Sequence, residues 1–252
     1  MSTEDCSYSE TRNNRMKKSI EKITYCFVII AALFVSFVSF VEPLVMKDIN
    51  ITKVILVLLC YAAVFTGSLT LFRQLSERAL YYLIIAGIFA AVIVQTYIVF
   101  HMRLVPEVDL NHIYDYCVDM VETGKISYAE SKYFAYNTNN IPLAIVIYYV
   151  FRMASFAGMD YRIAGGLFNV LLILVMYVSA FYILKKVTTI QTTAVYMALL
   201  LTNPSFYAYA SYYYTDTISA GLVMAGVGFI IYGCYKKKNH WKMIHFLAAG
   251  FL

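Results

Sequence analysis

Ala79–Phe100, ALYYLIIAGIFAAVIVQTYIVF, decides the fold. It carries no charged residue, and as a helix rising ~1.5 Å per residue it is long enough to cross a hydrocarbon layer of about 30 Å. It is apolar all round, whereas a helix on the surface of a soluble domain keeps one polar face.

Two similar stretches precede it, Ile23–Val41 and Val54–Phe72, separated by VEPLVMKDINITK and RQLSER. Across the 252 residues, 61% are hydrophobic and only 14% charged. The expectation is an all-α, polytopic integral membrane protein with no soluble domain. The net charge of +5 gathers in short clusters at segment ends, where basic residues orient a chain in the membrane, so nucleic acid is not implied as a partner. The five cysteines (Cys6, Cys26, Cys60, Cys117, Cys234) are scattered without a C-x-x-C pair, which argues for packing residues rather than a disulfide framework or a zinc site.

Charge then sets the expected topology. The polar start MSTEDCSYSETRNNRMKKSI lacks a cleavage pattern, so residues 1–22 read as a cytoplasmic tail. Residues 23–100 supply three crossings, and the Arg73/Arg78 turn joins the tail in the cytoplasm, leaving the segment after Phe100 outside. The external loop is 101–140, and 141–252 holds the remaining helices. Of these, Ile163–Leu184 ends at Lys185-Lys186, an apolar run extends from Val187 to about Tyr214, and Thr217–Tyr235 ends at Lys236-Lys237-Lys238. With both lysine clusters inside, Tyr214-Thr215-Asp216-Thr217 is external, and Ile141–Met159 must make no net crossing. Arg152 interrupts that piece and leaves an apolar run of re-entrant or interfacial length, so a dipping or protein-shielded helix is expected. The sequence stops at Leu252 within MIHFLAAGFL, which reads as an incomplete further span of a C-terminally truncated chain.

The external loop, RLVPEVDLNHIYDYCVDMVETGKISYAESKYFAYNTNNIP, holds the candidate chemistry. Ile113, Tyr116, Cys117, Met120 and Val121 recur at helical spacing, with Asp109 at an N-cap position and Gly124 just past the end. The spacing predicts an amphipathic helix over about Leu110–Thr123 on the bilayer surface. Asp109 is either an ordinary cap or a general base whose proton affinity rises where water is partly excluded. His112, Asp115 and Asp119 share one helical face; a solvated acidic face explains them better than a divalent-ion site, and no metal is expected. Arg152 and Arg162 flank the dipping segment, where they either snorkel to the interface or meet the phosphate of a lipid carrier. Asn139-Asn140 before Pro142 reads first as a helix start and second as a pair of ligand amides. Asp216 is a cap candidate for the span from Thr217, preceded by the aromatic belt Tyr212-Tyr213-Tyr214. No Ser-His-Asp order, P-loop or dinucleotide-binding glycine pattern is present.

From about Pro106 to Lys238 the chain resembles the polyprenyl-phosphate-sugar-dependent membrane glycosyltransferases of the GT-C superfamily, in particular those of Gram-positive bacteria. The matching pieces are EVDLNHIYDYCVDMVETG, KYFAYNTNNIPLAIVIYYVFR and NPSFYAYASYYYTDT, with Thr138 standing where the family pattern has proline. The resemblance implies a GT-C-like helical bundle in a cell membrane that transfers a sugar from a polyprenyl-phosphate carrier to a cell-envelope acceptor. By it, Asp109 would be the general base, with Glu107 its neighbour. Glu107, His112, Arg152, Arg162, Asn139, Asn140, Tyr214 and Asp216 would line the substrate site. No cofactor is implied. The competing expectations are a lipid or anion carrier of flippase type, and an inactive fragment or structural subunit.

Overall fold

A computed structural model of the chain describes residues 51–102, 108–203 and 205–235, with 244, 245 and 248; for several residues between 51 and 64, and for 215 and 216, it describes the backbone alone. Of the described residues 86% are helical and none is in a strand. The protein is therefore all-α. The tail, the expected span Ile23–Val41, Glu107 and most of the C-terminal MIHFLAAGFL lie outside the described residues.

In chain order the helices are α1 (Ile51–Gln74), α2 (Glu77–His101), α3 (Val108–Glu122), α4 (Tyr128–Tyr136), a 3-10 turn (Thr138–Asn140), α5 (Ile141–Phe156), α6 (Tyr161–Val187), α7 (Ile190–Leu201), the single turn α8 (Ser205–Ala208) and α9 (Thr215–Tyr235). Three of them, α2, α6 and Thr217–Tyr235 within α9, are long and apolar enough to cross a membrane. Large side chains such as Tyr82, Phe89, Ile93 and Tyr97 stand exposed on α2, as the lipid-facing side of a span requires. The chain is a membrane protein.

The contacts divide the chain into two compact units, 1–84 with 184–199 and 85–183 with 200–252. In the first, the Lys185 ammonium sits 4.6 Å from the centre of the Tyr81 ring, which brings the start of α2 to the end of α6. Around them the Thr188–Thr193 turn closes on its own hydroxyls, with Thr188 and Thr193 Oγ1 atoms 3.1 Å apart.

In the second unit, Val99 packs on Gly166 while the Gln95 amide reaches the Tyr177 hydroxyl, so α2 and α6 run antiparallel. The segment between them, α3 to α5, consequently starts and finishes at one end of that pair. α9 runs parallel to α6: Gly165 receives the Tyr213 ring, Gly221 lies on the Leu172 carbonyl, and Gly228 faces Ile183. Small residues let these two helices approach closely without any hydrophobic drive between them.

α5 is a continuous helix. Its buried flank, Leu143, Ala144, Ile147, Phe151 and Ala154, packs on Leu110, Ile113 and Cys117 of α3. Its other flank, with Ile145, Tyr149, Met153 and Phe156, is exposed and apolar. At ~1.5 Å per residue it is about 24 Å long, short of a full crossing. Gly158 at φ +64° ends it, as the left-handed position after a helix favours glycine.

Three expectations need correction. The run from Val187 to Tyr214 is not one helix: α7 ends at Leu201, and of the described residues between it and α9 only those of α8 are helical. Pro204 explains the break, since it lacks an N–H and disfavours helix at the residue before it. Asp109 is not a cap, because α3 starts one residue earlier at Val108 and places Asp109 inside the first turn. Asp216 likewise lies within the first turn of α9, which begins at Thr215. There Thr217 Oγ1 donates to the carbonyls of Tyr212 and Tyr214, each at 3.0 Å, and so ties down the turn before the helix.

Candidate functional site

The site forms where α3, α4, the 3-10 turn and the start of α9 meet. Leu110, Ile113 and Cys117 are fully buried and fix α3 against α5, which turns Asp109 and His112, three residues apart, toward α4. Cys117 adds a hydrogen bond from its thiol to the Ala144 carbonyl at 3.3 Å, and burial raises its proton affinity, so it is a packing residue and not a nucleophile.

Asp109 is the centre. The Tyr214 hydroxyl donates to its Oδ2 at 2.8 Å, across 105 residues of sequence. The Tyr133 hydroxyl also faces this carboxylate, and it accepts a hydrogen bond from Asn140 Nδ2 at 2.6 Å. Burial, with the Asp109 charge beside it, pushes the Tyr133 phenol up to about 12 despite the opposing Asn140 donor, so Tyr133 stays a neutral donor to the carboxylate. Asn140 is buried; exposed Asn139 donates to its Oδ1 at 3.3 Å and steadies its orientation.

His112 pairs with a carboxylate. Its Nδ1 lies 3.0 Å from Glu130 Oε2, and its ring stacks on Tyr133 with centroids 4.2 Å apart. Asp115 accepts instead from the Asn111 amide at 2.9 Å. Among the described residues no group of three or more metal-ligating side chains comes together. Glu130 is almost wholly buried, which raises its proton affinity; the bond from His112 opposes that, and Asp115 and Asp119 add to it.

Glu130 and Tyr133 are the site residues that the sequence did not disclose. A signal existed for the first, since Ser127-Tyr-Ala-Glu130 has the spacing of a capping box. Ser127 does cap α4, accepting from the Glu130 N–H at 3.2 Å, but the Glu130 carboxylate turns away from the cap to meet His112.

Five of the candidates thus converge: Asp109, His112, Asn139, Asn140 and Tyr214. The arginines stand apart, and among the described residues no hydrogen bond or ion pair joins either to Asp109. Arg152 is exposed and donates to the Tyr148 hydroxyl at 2.9 Å, one turn back on α5. Arg162 lies over the Tyr114 ring, 5.6 Å from its centre, with its backbone N–H held by Asp160. Glu107 and the Asp216 side chain are outside the described residues.

The assembly offers one carboxylate held by two phenols, an imidazole–carboxylate pair beside it, and aromatic faces. It can bind a polyhydroxylated molecule by hydrogen bonding and stacking, and accept a proton from one of its hydroxyls. No protein-family model, curated protein or solved structure matches the chain.

Proposed function

We propose that the protein is a membrane glycosyltransferase that moves a sugar from a polyprenyl-phosphate carrier to an external, cell-envelope acceptor. The observation that carries this is the pairing of Asp109 with Tyr214. It joins the acidic piece EVDLNHIYDYC to the later piece NPSFYAYASYYYTDT, two of the three stretches by which the chain resembles the GT-C superfamily. Tyr133 and Asn140, from the third stretch, meet at the same point.

In this reading Asp109 takes the proton of the acceptor hydroxyl as that oxygen attacks the anomeric carbon. The bond from the sugar to the phosphate oxygen breaks with its electron pair, and polyprenyl phosphate leaves with inversion at the carbon. The Tyr214 and Tyr133 hydroxyls hold and aim the Asp109 carboxylate. The arginines would steady the departing phosphate from the membrane side: Arg162 from its seat on Tyr114, and Arg152 from the exposed flank of α5. In this reading the site faces outward and the N-terminus inward, the sidedness that the basic residues Arg73, Arg78, Lys185 and Lys186 favour by their retention in the cytoplasm.

The test is transfer by the full-length protein in proteoliposomes, supplied with radiolabelled polyprenyl-phosphate sugar and cell-envelope acceptor. Covalent product that disappears in Asp109→Asn, at unchanged protein level, is the expected result. Product formation undiminished by that substitution, or flux of the label across the bilayer with no product, would overturn the assignment.

A further inference from the structure

Between α7 and α9 the chain passes Gly87, Gln95 and Asn169, which lie well inside α2 and α6, yet most of Thr202–Tyr214 is not helical. Backbone groups at membrane depth cannot turn to water, so irregular chain there must find partners inside the protein. Two fully buried amides provide them. Gln95 Nε2 donates to the Phe206 carbonyl at 3.2 Å and to the Tyr177 hydroxyl at 3.0 Å. Asn169 Nδ2 faces three carbonyls in succession, Tyr209 at 2.9 Å, Ala210 at 3.0 Å and Tyr212 at 3.4 Å.

The third of these carbonyls leads to the site. The Tyr212 oxygen also accepts from the Tyr214 N–H at 3.0 Å and from Thr217 Oγ1 at 3.0 Å. One turn before Asn169, Gly165 leaves the space in which the Tyr213 ring lies, since a Cβ there would come 2.5 Å from it. A short bonded path therefore runs from the middle of α6 through Tyr212 to Tyr214, whose hydroxyl holds Asp109.

We propose that Asn169 is a positioning residue: by gathering the carbonyls of Tyr209, Ala210 and Tyr212 it sets where Tyr214 stands and hence the hydrogen bond that holds Asp109. This deepens the transferase reading without depending on it, because the claim concerns the Tyr214–Asp109 bond whatever that pair does. Gln95 provides the contrast. It is as deeply buried and holds the same irregular segment, but at Phe206, eight residues before Tyr214.

The experiment places 3-fluorotyrosine at 214 in the full chain in nanodiscs and follows its fluorine resonance. Asp109→Asn should displace the signal, because the acceptor of the phenol changes. In an Asn169→Leu background the same Asp109→Asn change should move it by only a small fraction of that shift, while in a Gln95→Leu background the shift should be retained. Equal coupling in the Asn169→Leu and parent proteins, or equal loss in both amide variants, overturns the proposal. If Asn169→Leu does not fold, Asn169→Ser decides, as it withdraws the amide donor from the carbonyls of Tyr209, Ala210 and Tyr212 while leaving a small polar side chain in its place. There a reduced shift is expected, and an unchanged one overturns the proposal. Since no transfer is measured, failure of the glycosyltransferase assay would leave this result standing, and the reverse.

Discussion

Gly221→Ala should loosen the packing of α9 on α6 and with it the site. A Cβ at 221 would lie 3.0 Å from the carbonyl carbon of Leu172, with the carbonyl oxygen nearer still. Carbon atoms pack best at about 3.5–4.0 Å, so the helices must separate by at least ~0.5 Å. The obstacle is backbone, which has no rotamer to escape into. Overpacking of this kind costs about 1–3 kcal/mol, whereas replacing glycine by alanine inside a helix gains about 0.5–1 kcal/mol. The steric term wins at 221. At 228 the nearest atom, Ile183 Cγ1, is 3.7 Å from the added Cβ, an ordinary contact, and only the helix gain remains. The two glycines lie on one helix two turns apart, so each serves as the other's control. Unfolding in mixed detergent micelles, followed by circular dichroism, should rank Gly228→Ala at or above the parent and Gly221→Ala about 1–2 kcal/mol below it. A Gly221→Ala protein as stable as Gly228→Ala would refute the close approach of α9 to Leu172.

Tyr214→Phe removes the donor to Asp109 while keeping the ring; a hydrogen bond to a charged group contributes about 1.5–3 kcal/mol, so transfer by the full-length protein should fall roughly tenfold or more at unchanged protein level. Undiminished transfer would separate Tyr214 from the function of Asp109. Glu130→Gln tests the buried carboxylate through pH. Burial raises the proton affinity of Glu130 in the folded protein, so its contribution is fully present below the ordinary value of 4.5 and is lost as pH rises through the higher folded value. The parent's thermal midpoint, measured against that of Glu130→Gln, should therefore decline as pH rises from about 4 toward neutrality. A constant difference across that range would contradict a buried carboxylate at this position.

Three of the spans, Ala79–Phe100, Ile163–Leu184 and Thr217–Tyr235, were legible because a membrane crossing needs only length and apolarity, both of which are read directly from the sequence. The helix around Leu110–Thr123 was legible from its period, and Gly124, at φ +68°, ends it where the sequence indicated. The break at Thr202–Tyr214 was hidden by its own composition: its tyrosines and alanines read as a span, and the partners that replace its helical hydrogen bonds, Gln95 and Asn169, come from distant helices. Asp109 stood out in the sequence as a cap or a base, and in the fold it lies inside the first turn of α3 and accepts a tertiary hydrogen bond from Tyr214 that no local spacing encodes. Glu130 was overlooked for the opposite reason, since its local capping-box spacing was present while its side chain serves His112. The two arginines illustrate a third limit: sequence placed them beside one segment, and α5 and α6 carry them to the Tyr148 hydroxyl and the Tyr114 ring rather than to the carboxylate.

Sidedness tests the account most directly, because a transferase using an external acceptor needs the Asp109–Tyr214 site outside and the basic clusters inside. Single cysteines at Lys125, in the exposed turn after α3, and at Lys185, at the end of α6, can be placed in a background lacking the native cysteines. Intact cells are then treated with a membrane-impermeant maleimide. The account predicts labelling at 125 from outside and at 185 only after permeabilisation. Labelling of 185 from outside, or of 125 only from within, would contradict it.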